Sequence, residues 1–207
     1  MHIPDGFLVP KIWAGCGVIS TALVGVAIKQ TRDKLADKQV PLMSVMAAFI
    51  FAAQMINFPV FGGTSGHLVG GVLAAVLFGP FSAGIIMTTI LIIQCLIFND
   101  GGLTALGANV LNMGFIAPFV GYAVYKALRG TGVVVASFVA GWISVLAAAA
   151  ACALELTFSG TSPIVVVLPA MLFWHLFIGV GEGIITAAVV GYLQRTHSSL
   201  LTQIARI

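Results

Sequence analysis

The first two residues, Met1 and His2, carry the most reactive arrangement in the chain. They offer three nitrogens in adjacent small rings: the terminal amine, the His2 backbone amide and the nearer imidazole nitrogen of His2. Amine and amide close a five-membered chelate, and amide and imidazole close a six-membered one. This planar, nitrogen-rich set suits a metal that favours tetragonal or square-planar coordination, meaning Ni(II) or Cu(II), with Co(II) next. One equatorial position stays open, and His67 is the candidate to fill it. His67 follows the glycine-rich run Gly62-Gly63-Thr64-Ser65-Gly66. The candidate metal ligands are therefore Met1, His2 and His67. Asp5, Asn57 and Asn109 are the candidates to orient them, because ligating histidines need outer hydrogen-bond partners.

The amine must be free for this chemistry. Removal of an initiator Met requires a small second residue, and His2 is bulky, so Met1 is expected to stay. A signal peptide is not expected either. Pro4 and Asp5 stand where a positive n-region would be, and no small-residue cleavage site follows the first apolar run.

Other groups compete for a role. His175 and Glu182 fall on one face of a helix, about 10.5 Å apart along its axis, too far for one small metal to be held directly by both. Glu155 lies near the outer end of another apolar segment. Ionisable groups inside a membrane are functional hypotheses by default, so an intramembrane enzyme or ion-coupled carrier using Glu155, His175 and Glu182 is the rival reading. A structural hydrogen-bonding role is preferred for them, and no catalytic residue is assigned. Cys16, Cys95 and Cys152 sit in apolar runs without metal-ligand spacing and read as packing residues. The chain has no Gly-Lys pair, hence no P-loop and no bound nucleotide. ATP-driven work must come from another chain.

Composition says what positions these groups. Of 207 residues, 60% are hydrophobic and 7% charged, against about 25% charged in soluble domains. Residues 39–99, 130–154 and 156–181 contain no Asp, Glu, Lys or Arg, so the chain reads as an all-α membrane protein. A net charge of +3 without a basic polar face excludes nucleic-acid binding. Breakers divide the sequence into seven apolar segments, 11–28, 41–56, 66–78, 80–98, 104–126, 132–157 and 169–194, without internal repeats. The third is short: residues 67–78 make roughly 18 Å of helix against a hydrocarbon core of about 30 Å. Charge arbitrates, because Lys and Arg concentrate on the cytoplasmic side. With seven crossings, N-out and C-in, eight of the nine basic residues lie inside, and only Lys11 lies outside. Met1 and His67 then share the outer face. Ser44, Ala48 and Ala52 form a small-residue stripe suited to close helix approach, either within this bundle or against a separate membrane subunit. Gly179, Gly181 and Gly183 read the same way.

The blocks Met1-His2-Ile3-Pro4-Asp5-Gly6, Gly62 to Gly71 with its Gly-His-Leu core, and Leu106-Gly107-Ala108-Asn109-Val110-Leu111-Asn112-Met113-Gly114 carry a resemblance. Over essentially the whole chain, the sequence closely resembles the substrate-binding (S) component of cobalt/nickel energy-coupling-factor transporters, the CbiM/NikM family. The resemblance implies a single membrane domain over 1–207. A metal-binding tip over 1–10 would lead into an extra N-terminal helix over 11–28 and a six-helix core over 41–194. It implies a non-enzymatic protein of the cell membrane that holds Ni(II) or Co(II) as transported substrate. The ligands would be the Met1 amine, the His2 amide and imidazole nitrogens, and the His67 imidazole. It implies a transmembrane coupling subunit, two cytoplasmic ABC ATPases and a small accessory membrane protein, here a separate chain, as partners. Ser44, Ala48 and Ala52 resemble the stripe through which such components contact the coupling subunit.

Overall fold

The computed structural model describes residues 1–32, 39–60 and 64–196. It is a helical bundle with one short ribbon. The helices are α1 (Pro10–Thr31), α2 (Gln39–Gln54), α3 (Gly71–Phe78), α4 (Pro80–Ile97), α5 (Leu106–Asn109), α6 (Ala117–Leu128), α7 (Val133–Phe158) and α8 (Ile164–Thr196). A wider π turn, Val110–Ile116, joins α5 to α6, and a 3-10 turn, Arg129–Thr131, follows. Strands β1 (Phe58–Val60) and β2 (Thr64–Gly66) pair antiparallel, Pro59 opposite Ser65.

Five of these stretches are long and apolar enough to cross a membrane: Pro10–Thr31, Pro80–Ile97, Leu106–Thr131, Val133–Phe158 and Ile164–Thr196. The distribution of side chains agrees with a lipid solvent. Val18, Ile56, Leu96, Ile97, Phe158 and Val165 point outward, whereas Gln54, Gln94, Asn109, Asn112, Glu155, His175 and Glu182 are buried. Polar groups go inside because only there do they find partners.

The short third segment is shorter than the sequence suggested. α3 has eight residues, about 12 Å of helix, and residues 67–70 are not helical. Two glycines set its limits: Gly70 (φ 76°) precedes it and Gly79 (φ 83°) ends it. At Gly70 a side chain is also excluded by space, since a Cβ there would lie 2.6 Å from Ile50. The irregular backbone before α3 is buried but satisfied. Glu182 accepts the Val69 and Gly70 amides at 2.8 and 2.7 Å, and Gln54 Nε2 donates to the Val69 carbonyl at 2.6 Å. Non-helical chain inside an apolar layer needs such protein partners.

α8 starts earlier than expected, with Pro169 inside it. Its missing N–H costs one bond near the helix start, which a neighbouring structure tolerates. α7 and α8 form the most extensive helix pair, and glycine permits it. A Cβ on Gly141 would lie 3.0 Å from Gly183 Cα, and one on Gly183 would lie 2.7 Å from the Phe138 carbonyl. Gly179 is equally constrained by Trp142, but Gly181 faces open space. Ser44, Ala48 and Ala52 are exposed on α2, so this stripe does not pack inside the bundle. Gly62, Gly63, Lys34, Lys38 and Arg206 lie outside the described residues.

Candidate metal centre

The amino-terminal tip threads into the bundle. Met1, His2 and Ile3 are 0, 4 and 0% exposed, and specific bonds hold them there. The Ile3 amide donates to Asn109 Oδ1 at 2.8 Å, and Asn109 Nδ2 donates back to the Ile3 carbonyl at 3.1 Å. That carbonyl also accepts the Gly102 amide at 2.9 Å. Asp5 accepts the Leu103 and Thr104 amides and the Thr104 hydroxyl, which cap the turn leading into α5. These bonds hold its carboxyl below the usual range, the Thr104 hydroxyl contributing most. Thr161, after α7, donates to the Phe7 carbonyl. Close approach to the tip demands glycine in the facing loop: a Cβ on Gly102 would lie 2.3 Å from the Asp5 nitrogen.

The two imidazoles meet inside. The His2 and His67 ring centroids are 4.6 Å apart, tilted by 31°. His67, 2% exposed, places Nδ1 2.6 Å from the Leu68 carbonyl. A carbonyl only accepts, so Nδ1 carries the proton and Nε2 the lone pair. That Nε2 is buried and has no hydrogen-bond partner among the described residues. His2 Nε2 lies 3.1 Å from Gln94 Oε1, and the same logic puts its proton on Nε2 and its lone pair on Nδ1. Nδ1 is the nitrogen that closes the six-membered chelate with the His2 amide. Asp100 Oδ1 stands 3.5 Å from it, and Asn57 donates to the other carboxylate oxygen at 3.1 Å.

Burial keeps these nitrogens neutral. Desolvation pushes the Met1 amine down to about 5, against the opposing pull of Cys152 and Asp100. It pushes His2 down to about 3, with the Met1 amine adding to the effect and the Gln94 bond opposing it. With His2 neutral, the 3.5 Å approach of Asp100 Oδ1 to its Nδ1 is not an ion pair. Burial raises the Asp100 carboxyl, and the Met1 amine and Asn57 work against that. The result is a pocket of neutral nitrogen lone pairs beside one partly exposed carboxylate, an environment that attracts a cation. Among the described residues no three of His, Cys, Asp or Glu gather into a metal-binding group.

Met1, His2 and His67, singled out in the sequence, are thus brought together. Asp5, Asn57 and Asn109 are close by, and the bonds described for them go to other groups than the imidazoles. Asn109 and Asp5 clamp the tip's backbone, and Asn57 steadies Asp100. The groups that set the ring tautomers are Gln94 and the Leu68 carbonyl. Gln94 was detectable as the sole amide side chain in the apolar stretch of α4, whereas a main-chain carbonyl leaves no sequence signal. Asn109→Ala is expected to weaken metal binding roughly 10–100-fold, as loss of a supporting contact does, with both imidazoles intact. Calorimetric titration with Ni(II) checks it, and unchanged affinity would show that the clamp is dispensable.

Glu155, His175 and Glu182 do not form one cluster. Glu155 accepts Asn112 Nδ2 at 2.7 Å and lies 3.5 Å from Cys16 Sγ, tying α1 and the π turn to α7. Glu182 holds the backbone after His67, and His175 bonds to its own helix at Met171. A separate cavity of about 930 Å³ opens between α1 and α4, lined by Trp13, Thr88 and Ile92, and holds none of the candidate ligands.

A family profile described as "Cobalt uptake substrate-specific transmembrane region" matches residues 2–200. The chain belongs to the CbiM family. It is 44% identical over 205 residues to a putative fused nickel transport protein, NikMN, of Archaeoglobus fulgidus, covering 98% of this chain and 68% of that one. With a putative metal transport protein, MJ1569, of Methanocaldococcus jannaschii, it shares 40% identity over 98% of this chain and 95% of the other. The crystal structure of a truncated transition metal transporter superposes with a TM-score of 0.91 at 39% identity, covering 95% of this chain and all of that one. This CbiM-family chain is a metal-uptake component and a multi-pass membrane protein. Its relatives and structural neighbours are transporters, and the enzyme alternative built on Glu155, His175 and Glu182 falls.

Proposed function

We propose that this chain captures Ni(II), or Co(II), as its transported substrate in a four-nitrogen site and delivers it across the membrane with ATP-hydrolysing partners. The ligands are the Met1 amine, the His2 amide, His2 Nδ1 and His67 Nε2. The observation that carries the reading is the paired imidazoles of His2 and His67 beside the buried Met1 amine, with the bonds to Gln94 and the Leu68 carbonyl orienting the two rings. The planar donor set favours Ni(II). Relatives named as nickel and cobalt transport proteins support the substrate class.

The tip, residues 1–10, is the metal-binding element. The helix that the sequence placed at 11–28 is the additional one, and 41–194 is the six-helix core. In this reading seven segments cross the bilayer, N-out and C-in, with α3 and the buried backbone before it making one crossing together. Capture occurs from outside. The partners are a transmembrane coupling subunit, two cytoplasmic ABC ATPases and a small accessory membrane protein. Ser44, Ala48 and Ala52 are exposed and small, which suits close contact with the coupling subunit. The dispersal of Glu155, His175 and Glu182 among separate hydrogen bonds favours structural roles for them over an ion-coupled carrier.

The chain alone in liposomes is expected to bind Ni(II) without accumulating it, and accumulation should require the ATPase partners and ATP. Accumulation by the chain alone would overturn the energy-coupled reading. Proton competition gives a second test. Coordination of the His2 amide displaces its proton, so affinity should rise about tenfold per pH unit across neutrality. Because the amine is already neutral above about 5, it adds nothing to that slope until the pH falls through that value, where the dependence steepens. An ordinary amine would steepen the curve from 8 downward. Titration at several pH values distinguishes the two.

A further inference from the structure

We propose that Asp100 is a capture carboxylate: it holds the hydrated divalent cation at the mouth of the site and passes it to His2 Nδ1, setting how fast metal enters without joining the four nitrogens. The proposal rests on the metal-site reading above. The ligands themselves are closed to solvent, Met1, His2 and His67 being 0, 4 and 2% exposed. The Asp100 side chain is 17% exposed and reaches both sides of that closure. Its Oδ1 lies 3.5 Å from His2 Nδ1, the ring nitrogen of the chelate. Its Oδ2 accepts a 3.1 Å bond from Asn57, an exposed residue. One carboxylate thus spans from a donor atom of the site to the surface.

The fold builds this position. The Gln94 carbonyl accepts the Phe98 and Asp100 amides at 3.1 and 3.0 Å, while the Gln94 side chain lies 3.1 Å from His2 Nε2. Gln94 and Asp100 therefore address the two nitrogens of one ring from a single closed turn. That turn needs a left-handed residue, Asn99 (φ 54°), the one non-glycine with positive φ among the described residues, and Asn tolerates this conformation better than most. Gly101 follows at φ 93°, where a Cβ would lie 3.2 Å from His2 Cδ2. The Gly102 amide then donates to the Ile3 carbonyl. Asp5, which meets the same loop, has both oxygens engaged by Leu103 and Thr104. A hydrated cation presents water protons, which a carboxylate accepts, and nitrogen replaces that water only as the ion moves inward. Holding the ion beside Nδ1 raises its local concentration there. Electrostatic capture of this kind speeds association by about 10–1000-fold and weakens as salt rises.

Stopped-flow mixing of Ni(II) or Co(II) with the full chain in detergent tests this. Asp100→Asn should slow association of both metals about tenfold or more at low salt, and the deficit should shrink as salt is raised. Dissociation should stay within about threefold of wild type, and the spectrum of the bound metal should be unchanged, because no ligand is lost. Asp100→Glu keeps the charge and should recover most of the rate, in a chain that melts like wild type. Association as fast in Asp100→Asn as in wild type, a slowdown that salt does not alter, or an Asp100→Glu chain as slow as Asp100→Asn would overturn the capture role and leave the four nitrogens standing. Faster dissociation with normal association would overturn it too, making Asp100 a support for the His2 ring. Binding that is indifferent to acetylation of the Met1 amine would instead overturn the four-nitrogen site itself.

Discussion

Adding a single glycine before Met1, or acetylating the amine, is expected to weaken Ni(II) binding by more than about 100-fold, beyond the roughly 10–100-fold typical of supporting contacts. Two effects act together. The amine becomes an amide, losing its basic lone pair and opening the five-membered chelate. The tip also has no room to grow, since Met1 is fully buried and Ile3 is clamped on both its amide and its carbonyl. An extra residue must push His2 away from Gln94 or leave the bundle. Because burial already holds the amine neutral at pH 7, acetylation removes no charge there. Melting of the metal-free acetylated chain separates the loss of a ligand from displacement of the tip. Titration calorimetry with matched free and acetylated chains measures it, and equal affinities would remove Met1 from the site.

His67→Ala is expected to cost a similar factor, more than about 100-fold, for a different reason. Met1 and His2 remain as a three-nitrogen set open at its fourth position, and water takes the place of an imidazole. Ligands that act as one unit do not contribute additively. Combining His67→Ala with the added glycine should thus lower affinity by less than the product of the two single losses. Titration of the single and double variants checks this, and a fully multiplicative loss would mean that the two groups bind separate ions.

Much of the site was legible because its chemistry is local. The chelate of Met1 and His2 follows from covalent spacing alone, and only the partner from a distant loop had to be guessed. His67 stood out as a histidine after a glycine-rich run in a stretch free of charge. What stayed hidden depends on tertiary placement. Asn109 was picked as a ring acceptor but serves the backbone of Ile3, because the tip enters edge-on, as a strand would. Gln94 lies in the last turn of α4 and Asp100 in the loop beyond it, and nothing in their spacing reveals that the His2 ring sits beside both. His175 and Glu182 were correctly judged too far apart to share an ion. What the spacing could not show is that Glu182 grips the backbone just after His67.

The fold shows the same division. Segment limits followed the glycines and prolines closely at Gly79-Pro80, where a left-handed glycine ends α3 and a proline starts α4. They failed at Pro169, because α8 runs on through the proline and the lost N–H bond is one that a packed bundle tolerates. They failed also before α3, where four residues of irregular backbone are stabilised by Glu182 and Gln54 from other helices. Hydrophobicity cannot tell such a buried loop from a helix. The outward placement of Ser44, Ala48 and Ala52 was similarly out of reach, because a small-residue stripe reads alike whether it faces its own bundle or a partner.

X-ray absorption at the nickel edge of the loaded chain tests the central claim most directly. The account predicts a first shell made only of nitrogen, with outer-shell scattering from the imidazoles of His2 and His67, and disruption of that shell on acetylating the amine. A shell containing oxygen or sulfur ligands, or one unaltered by acetylation, would contradict it.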